Sequence, residues 1–205
     1  MSRKISEGAE AVITSFNFAG KEAVAKYRGP KGYRNPEMDK KLRDGRTRRE
    51  ARIMRRAVLN GIASPALFFY GGNMLIMERL HGVRLCDMLK TRIPKAAASI
   101  MPAVGLLLGR LHSIGIAHGD FTPANILVTG QKVPWVIDFG LSEMTESDEE
   151  RGLDLLLMKR AVGAPLFRCF LKGYRKAFGH SAVVESRLSE IETRGRYQTR
   201  TLLAD

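Results

Sequence analysis

Asp120, Asn125 and Asp138 are the residues of this 205-residue chain whose types and spacing could do chemistry. Two of them lie in His118-Gly119-Asp120-Phe121-Thr122-Pro123-Ala124-Asn125, and the third, thirteen residues after Asn125, opens Asp138-Phe139-Gly140. The chemistry they suit is phosphoryl transfer. The carboxylate of Asp120 would face an attacking hydroxyl or water, while the amide of Asn125 and the carboxylate of Asp138 would hold magnesium against phosphates. Magnesium prefers hard oxygen ligands, which Asn and Asp supply and His and Cys do not. Asp-Phe-Gly alone is an ordinary turn sequence. The information lies in both motifs at this spacing, with strand-like runs between them.

Those runs must position the three side chains. Ile116-Ala117 leads into the Asp120 loop, where His118 is expected to brace the backbone rather than react. Ile126-Leu127-Val128 reads as a strand, Thr129 to Lys132 as a turn and Val133 to Ile137 as the returning strand. Such a hairpin would set Asn125 and Asp138 side by side at one end. Upstream, the order of parts resembles that of protein kinases, which need a strand lysine and a helix glutamate. Glu22 to Arg28 reads as a strand, with Lys26 the candidate for contacting phosphate and Lys21 a weaker one. A helix is predicted from about Asp44 to Leu59, with Glu50, Met54, Ala57 and Val58 on one stripe and Glu50 the candidate partner of Lys26.

The glycine-rich loop of a kinase is thinly represented. Ser6 to Ala11 holds one glycine, before a strand at Val12 to Phe16; Gly8, Ala9 and Glu10 are the nucleotide-binding candidates there. Gly8 could bring backbone close to phosphate, or simply turn a hairpin. Leu75 to Leu80 reads as a strand; the resemblance to protein kinases makes this the position of the hinge, where backbone groups from Glu78 to Leu80 would meet adenine.

The second half reads as helical. Ile100, Met101, Val104, Leu108 and Leu111 form a stripe on a helix after Ser99, with Pro102 expected in its first turn. Leu153 to Met158 looks like a helix buried nearly all round, with Asp154 inside it. A buried carboxylate is costly unless bonded, and the resemblance to protein kinases, where an aspartate at this place ties to the catalytic loop backbone, implies the same partner for Asp154. From Gly140 to the helix near Arg151 there are about ten residues and no Ala-Pro-Glu. That leaves little room for a peptide-docking activation loop and predicts poor turnover of free protein substrates.

Length bounds the chain to one compact unit, with room for two lobes sharing a cleft. No apolar run is long enough to cross a membrane, and the first ten residues are polar, unlike a signal peptide. Two isolated cysteines, Cys86 and Cys169, suggest a reducing cytoplasm and no disulfide framework. The histidines His81, His112, His118 and His180 form no metal-ligand pattern. The net charge of +13 is concentrated. Lys40, Lys41, Arg43, Arg46, Arg48, Arg49, Arg52, Arg55 and Arg56 crowd one segment, preceded by Lys31 and Arg34 in what reads as an ordered loop. Arg187, Arg194, Arg196 and Arg200 close the chain, and Glu143 to Glu150 carries five acids against them. Clustered cations of this kind fit RNA through its backbone phosphates, or an acidic protein surface.

Several segments carry a closer resemblance: Gly8-Ala9-Glu10-Ala11, Lys31-Gly32-Tyr33-Arg34, Arg46-Thr47-Arg48-Arg49-Glu50-Ala51, His118-Gly119-Asp120 and Arg194-Gly195-Arg196-Tyr197. In this order the chain resembles the small RIO-like atypical serine/threonine kinases of the KEOPS complex, which makes threonylcarbamoyl-adenosine in tRNA. The resemblance implies an α+β, reduced two-lobed protein-kinase-like fold: a small β-rich N-lobe with one helix (residues 1–79), a helical C-lobe with a short activation segment (80–186) and a basic tail (187–205). It implies ATP and Mg2+ as cofactors, autophosphorylation together with ATP hydrolysis, and a cytoplasmic location. The implied partners are the tRNA-modifying subunit of that complex and its small accessory subunit, with tRNA reached through the basic helix and tail. By this resemblance Asp120 is the catalytic aspartate, Asn125 and Asp138 the magnesium ligands, Lys26 the phosphate lysine and Glu50 its partner. Two other readings stand beside it. His-Gly-Asp also occurs in aminoglycoside and choline kinases, which phosphorylate small molecules. A nucleotide-binding scaffold without activity is the other, against which the intact Lys26, Asp120, Asn125 and Asp138 set speaks.

Overall fold

The structure, a computed structural model, describes residues 3–8, 10–90 and 94–202, and side chains except those of 94–97 and 195–202. It divides into two compact units, residues 1–81 with 138–140, and residues 82–137 with 141–205.

The first unit is an antiparallel sheet of five strands in the order β1-β2-β3-β5-β4, with one helix. The strands are β1 (Arg3–Glu7), β2 (Val12–Phe18), β3 (Lys21–Tyr27), β4 (Leu67–Gly71) and β5 (Met74–Glu78). Central β3 pairs on both sides, so that Lys26 lies opposite Ile13 of β2 and Leu75 of β5. Helix α1 (Pro36–Leu59) packs its buried face, Thr47, Glu50, Ala51, Ile53, Met54 and Ala57, inside this unit, and contacts β4 and β5. It starts eight residues before the predicted Asp44. Asn35 caps it, accepting from the N–H groups of Glu37 and Met38, and Pro36 follows where a missing N–H costs nothing. Acidic Glu37 and Asp39 in the first turn suit the positive end of the helix. Val58, expected on the buried stripe, is exposed.

The second unit is mainly helical. Its elements are β6 (Val83–Arg84), α2 (Leu85–Lys90), α3 (Pro94–Ser113), β7 (Ile116–Ala117), β8 (Ile126–Val128), β9 (Pro134–Val136), β10 (Glu143–Met144), α4 (Asp148–Ala177) and α5 (Ser181–Leu202). The predicted hairpin is β8 and β9, in a small sheet ordered β6-β8-β9. Helix α3 begins at Pro94 rather than after Ser99, so Pro102 sits inside it and not in its first turn. Helix α4 is kinked at Gly163 (φ 76°), and Pro165 begins the second segment where its fixed φ fits. The core of this unit is the α3–α4 contact, made by close backbone approach. A Cβ on Gly173 would stand 1.7 Å from the Pro102 carbonyl oxygen, and one on Gly105 1.9 Å from that of Phe170. Around them pack Met101, Val104, Leu108, Leu155, Phe170 and Tyr174, all fully buried. Helix α5 runs unbroken past position 187 and lies on α4.

Candidate active site

In the first unit, β3 turns Lys26 inward although lysine ordinarily seeks water; only 6% of the residue is exposed. The compensation is an ionic cluster. Lys26 Nζ donates to Glu50 Oε1 at 2.9 Å and to Asp138 Oδ1 at 2.7 Å. The buried Glu50 takes a second cation, because its other oxygen accepts from the Arg28 guanidinium. Strand geometry explains the pairing: residues two apart share a face, so Lys26 and Arg28 both point at α1. Arg28 also donates to Thr47 Oγ1 at 3.4 Å. Asp138 adopts φ 67°, a conformation uncommon outside glycine, and its Oδ1 also accepts the Gly140 N–H at 2.9 Å. The cluster thus includes Asp138, the carboxylate expected to hold magnesium.

In the second unit, the loop after β7 is held by bonds that reach its backbone. Asp154 of α4 is fully buried, and its carboxylate accepts the N–H of His118 at 2.6 Å and of Gly119 at 2.9 Å. His112 completes the set, with Nε2 3.2 Å from Asp154 Oδ2 and Nδ1 2.8 Å from Tyr174 Oη. Burial holds the His112 imidazole below its usual pKa despite Asp154 beside it, so the ring is neutral near pH 7. A neutral ring donating from Nε2 to Asp154 and accepting from Tyr174 satisfies every member. Burial also raises the pKa of Tyr174 strongly, which keeps it a hydroxyl donor. Gly119 has φ 77°, and a Cβ there would stand 2.5 Å from the Leu141 carbonyl oxygen. The glycine between His118 and Asp120 is therefore a backbone requirement of this loop.

These supports place Asp120. Its N–H donates to His118 Nδ1 at 3.3 Å, and the buried His118 ring stands edge-on to Phe121, so it braces the loop as expected. A short 3-10 turn, Pro123–Asn125, then swings Asn125 back onto Asp120. Asn125 Nδ2 donates to the Asp120 carbonyl at 2.9 Å and to its Oδ2 at 2.7 Å. With the amide nitrogen on Asp120, the amide oxygen is the hard donor atom that remains. The Ile137 N–H meets the Asn125 carbonyl at 2.9 Å, closing the β8–β9 hairpin above it. After Leu141 the chain reaches α4 in a few residues, shorter than anticipated. Ser147 caps α4, and Arg151 fastens the segment by donating to the carbonyls of Thr145 and Glu146 and to Asp148.

The other sequence candidates fare unevenly. Gly8 turns β1 into β2 through its N–H to the Ala11 carbonyl, 3.0 Å, and a Cβ there would meet only ordinary contact. Its glycine is not forced by the turn. Ala9 lies outside the described residues. Glu10 pairs with Arg46 at 2.7 Å. The Glu78 N–H is committed to the Ala66 carbonyl and its carboxylate to the Ala66 N–H, so only its carbonyl could serve adenine. Leu80 is half-buried at the end of this unit. Arg28 was missed, although its position two residues after Lys26 was the available signal. His112 and Tyr174 were missed because lone residues on apolar helices carry no motif.

Asn125 in the second unit and Asp138 in the first each carry an oxygen donor of the kind magnesium takes. Among the described residues, no three His, Cys, Asp or Glu side chains gather as a metal cluster.

A buried strand lysine on a helix glutamate, and an Asp–Asn pair on a loop pinned by a helix aspartate, are the parts of a protein kinase. The protein kinase domain family matches residues 8–169, and the chain belongs to it. Within it the chain belongs to the family of the KEOPS complex subunit Bud32. It is 38% identical to the protein of that name from Pyrococcus abyssi, over 96% of this chain and 97% of the relative. It is 34% identical to the mouse EKC/KEOPS complex subunit Tp53rkb, covering 94% of this chain and 86% of that protein. A probable bifunctional tRNA threonylcarbamoyladenosine biosynthesis protein of Methanothermobacter thermautotrophicus is 38% identical over 94% of this chain; the chain spans 36% of that relative's length. Among solved structures, the Rio2 kinase–ADP/Mg2+–phosphoaspartate complex from Chaetomium thermophilum is similar in fold, with TM-score 0.66 at 18% identity, covering 96% of this chain and 70% of that one. The α+β kinase-like fold is as expected.

Proposed function

We propose that the chain is an ATP- and magnesium-dependent atypical serine/threonine kinase that also hydrolyses ATP, as a subunit of the complex making threonylcarbamoyl-adenosine in tRNA. The observation that carries this reading is the Asp120–Asn125 pair. Its 2.7 Å bond fixes the carboxylate, and Asp154 immobilises the backbone on which both sit. Asp120 would accept the proton of an attacking hydroxyl or water, and Lys26, held in place by Glu50, would contact the phosphates. Magnesium, held by Asn125 and Asp138, would supply charge neutralisation at the phosphates. Gly8 to Glu10, Glu78 and Leu80 remain candidates for the nucleotide's surroundings. Of these, Glu10 and Glu78 side chains already have protein partners, so backbone contact is their available role.

The short segment before α4, fastened by Arg151, leaves Asp120 without the long loop that docks peptides, which favours water as an acceptor. We assign residues 1–79 as the N-lobe, 80–186 as the C-lobe and 187–205 as the tail toward partners. The names of the relatives support membership of a multi-subunit complex; the tRNA-modifying subunit and its small accessory subunit are the partners we assign, with tRNA contact by α1 and the tail. Arg48, Arg49, Arg52, Arg55 and Arg56 form an exposed face of α1, as such contact requires. Arg187 and Arg194 instead pair with Glu149, so the start of the tail spends part of its charge within the chain. No helix among the described residues is long and apolar enough to cross a membrane, and Cys86 and Cys169 are unpaired thiols, in keeping with a cytoplasmic site of work. The test is reconstitution with the modifying and accessory subunits and tRNA. Wild type should support formation of threonylcarbamoyl-adenosine, and Asp120→Ala should not. Equal product with both would refute the reading.

A further inference from the structure

Residues 78–81, at the end of β5 and just past it, are fastened on two sides. On one side Glu78 and Ala66 exchange bonds: the Glu78 N–H meets the Ala66 carbonyl at 2.8 Å, and the Glu78 carboxylate accepts the Ala66 N–H at 3.1 Å. On the other side the fastening comes from a single residue, Glu22, near the start of β3. Its carbonyl accepts the Arg79 N–H at 3.2 Å. Its carboxylate accepts from Arg79 Nη1 at 3.4 Å with one oxygen and meets His81 Nε2 with the other. Glu22 thus holds both chain neighbours of Leu80 and leaves Leu80 itself alone.

Among the described residues, the backbone N–H and carbonyl of Leu80 have no hydrogen-bond partner, although the residue is half-buried. An open N–H suits one purine better than the other. Adenine offers N1 as an acceptor, whereas guanine presents an N–H at that position. A donor left facing a donor loses its bond and costs affinity, so an N–H held in place at Leu80 discriminates for adenine. Holding it in place is the part that falls to Glu22. A segment with loose flanks must be ordered at the moment of binding, and that ordering weakens binding.

The carboxylate of Glu22 is suited to the task. Its hydrogen bond with His81 outweighs a partial desolvation, the charges of His81 and Arg79 add to it, and its pKa stays below the usual range. The three side chains are 58% exposed for Glu22, 37% for Arg79 and 64% for His81. Ion pairs so exposed contribute little to stability, so the consequence of this network is conformational.

We propose that Glu22 is a positioning residue for the nucleotide: by clamping Arg79 and His81 it presets the Leu80 backbone to meet adenine. The contact with adenine rests on the function proposed above; the clamp rests on the bonds of Glu22.

The experiment is titration calorimetry of the full chain with ATP, GTP and inorganic tripolyphosphate, each with magnesium, for wild type, Glu22→Ala and Glu22→Gln. Steady-state ATP turnover is measured alongside, and melting curves verify that each variant folds. Glu22→Ala should weaken ATP about threefold to tenfold, as the loss of two exposed ion-pair contacts allows. Tripolyphosphate, which has no base, should bind as before, and the preference for ATP over GTP should shrink. KM for ATP should rise with kcat at saturating ATP unchanged. Glu22→Gln, whose amide oxygen still accepts from Arg79, should recover part of the loss. If Glu22→Ala binds ATP as wild type does, or loses ATP and tripolyphosphate equally, the proposal is overturned. Wild-type protein reports the proposed function separately: if it binds no ATP, that reading falls and the clamp's role with it, whereas wild-type binding that ignores Glu22→Ala sinks the clamp alone.

Discussion

Glu50 and Lys26 form one ion pair, yet removing them should cost very different amounts. Glu50 neutralises two buried cations, with side-chain exposures of 8% for Lys26, 3% for Arg28 and 1% for Glu50 itself. Glu50→Gln keeps the shape and leaves both cations short of an anion. Removing one partner of a buried pair costs about 3–5 kcal/mol. Asp138 still holds Lys26, but it is half-exposed, so it offsets only a fraction. Lys26→Met leaves Glu50 neutralised by Arg28 and lets Asp138 turn to water. Its cost is that of one lost charged hydrogen bond, roughly 1–3 kcal/mol. At about 3 °C per kcal/mol for a chain of this length, the central values correspond to about 12 °C for Glu50→Gln and about 6 °C for Lys26→Met. The assay is thermal unfolding by far-ultraviolet circular dichroism. Fluorescence of Trp135 in the second unit tells whether the loss is confined to the first. Both variants should fail in ATP turnover, so stability alone separates them. Equal destabilisation by the two, or a Glu50→Gln protein as stable as wild type, would refute the shared-anion account of Arg28.

Three other outcomes follow from the second unit. Asp154→Asn turns an NH2 toward the N–H groups of His118 or Gly119, and should cost about 2–3 kcal/mol and slow turnover with it; unchanged denaturation and kinetics would count against its role in holding the loop. Gly173→Ala drives a Cβ into the Pro102 carbonyl and should prevent folding of the second unit or cost about 3 kcal/mol or more, read by Trp135 fluorescence in urea. His112 is buried neutral, with its folded pKa depressed. Below its ordinary value of about 6.5 the unfolded chain binds a proton that the folded chain refuses, so stability should fall as pH drops through and below that value. Urea midpoints from pH 7.5 down to about 5 should show this slope in wild type and less of it in His112→Gln, and a pH-independent midpoint would contradict it.

The candidate residues for phosphoryl transfer were legible because that chemistry demands particular groups at fixed separations along two loops, and Asp120, Asn125 and Asp138 meet that demand in a single stretch of chain. Asp154 was legible for a different reason: a carboxylate in an apolar helix must be bonded, and the kinase resemblance pointed to the loop backbone as its partner. The start of α1 was misread although its signals were present, since Asn35-Pro36-Glu37 is a capped helix start that the surrounding charge made look like loop. Pro102 was placed in a first turn because the apolar stripe seemed to begin at Ile100, while the helix gains two more turns from Pro94 through alanines that carry no pattern. The Gly105 and Gly173 contact was invisible, being a property of two helices meeting and not of either alone. Arg28 lay between: strand periodicity put it beside Lys26, but nothing in the sequence said that Glu50 would serve both.

The central claim is that Asp120 drives transfer of the terminal phosphate of ATP. It is tested most directly by following the gamma-phosphate label of ATP with magnesium, in wild type and Asp120→Ala, with and without tRNA and the modifying subunit. The account predicts label released chiefly as free phosphate by wild type, faster with the partners present, and release abolished in Asp120→Ala. Undiminished release by Asp120→Ala would contradict it.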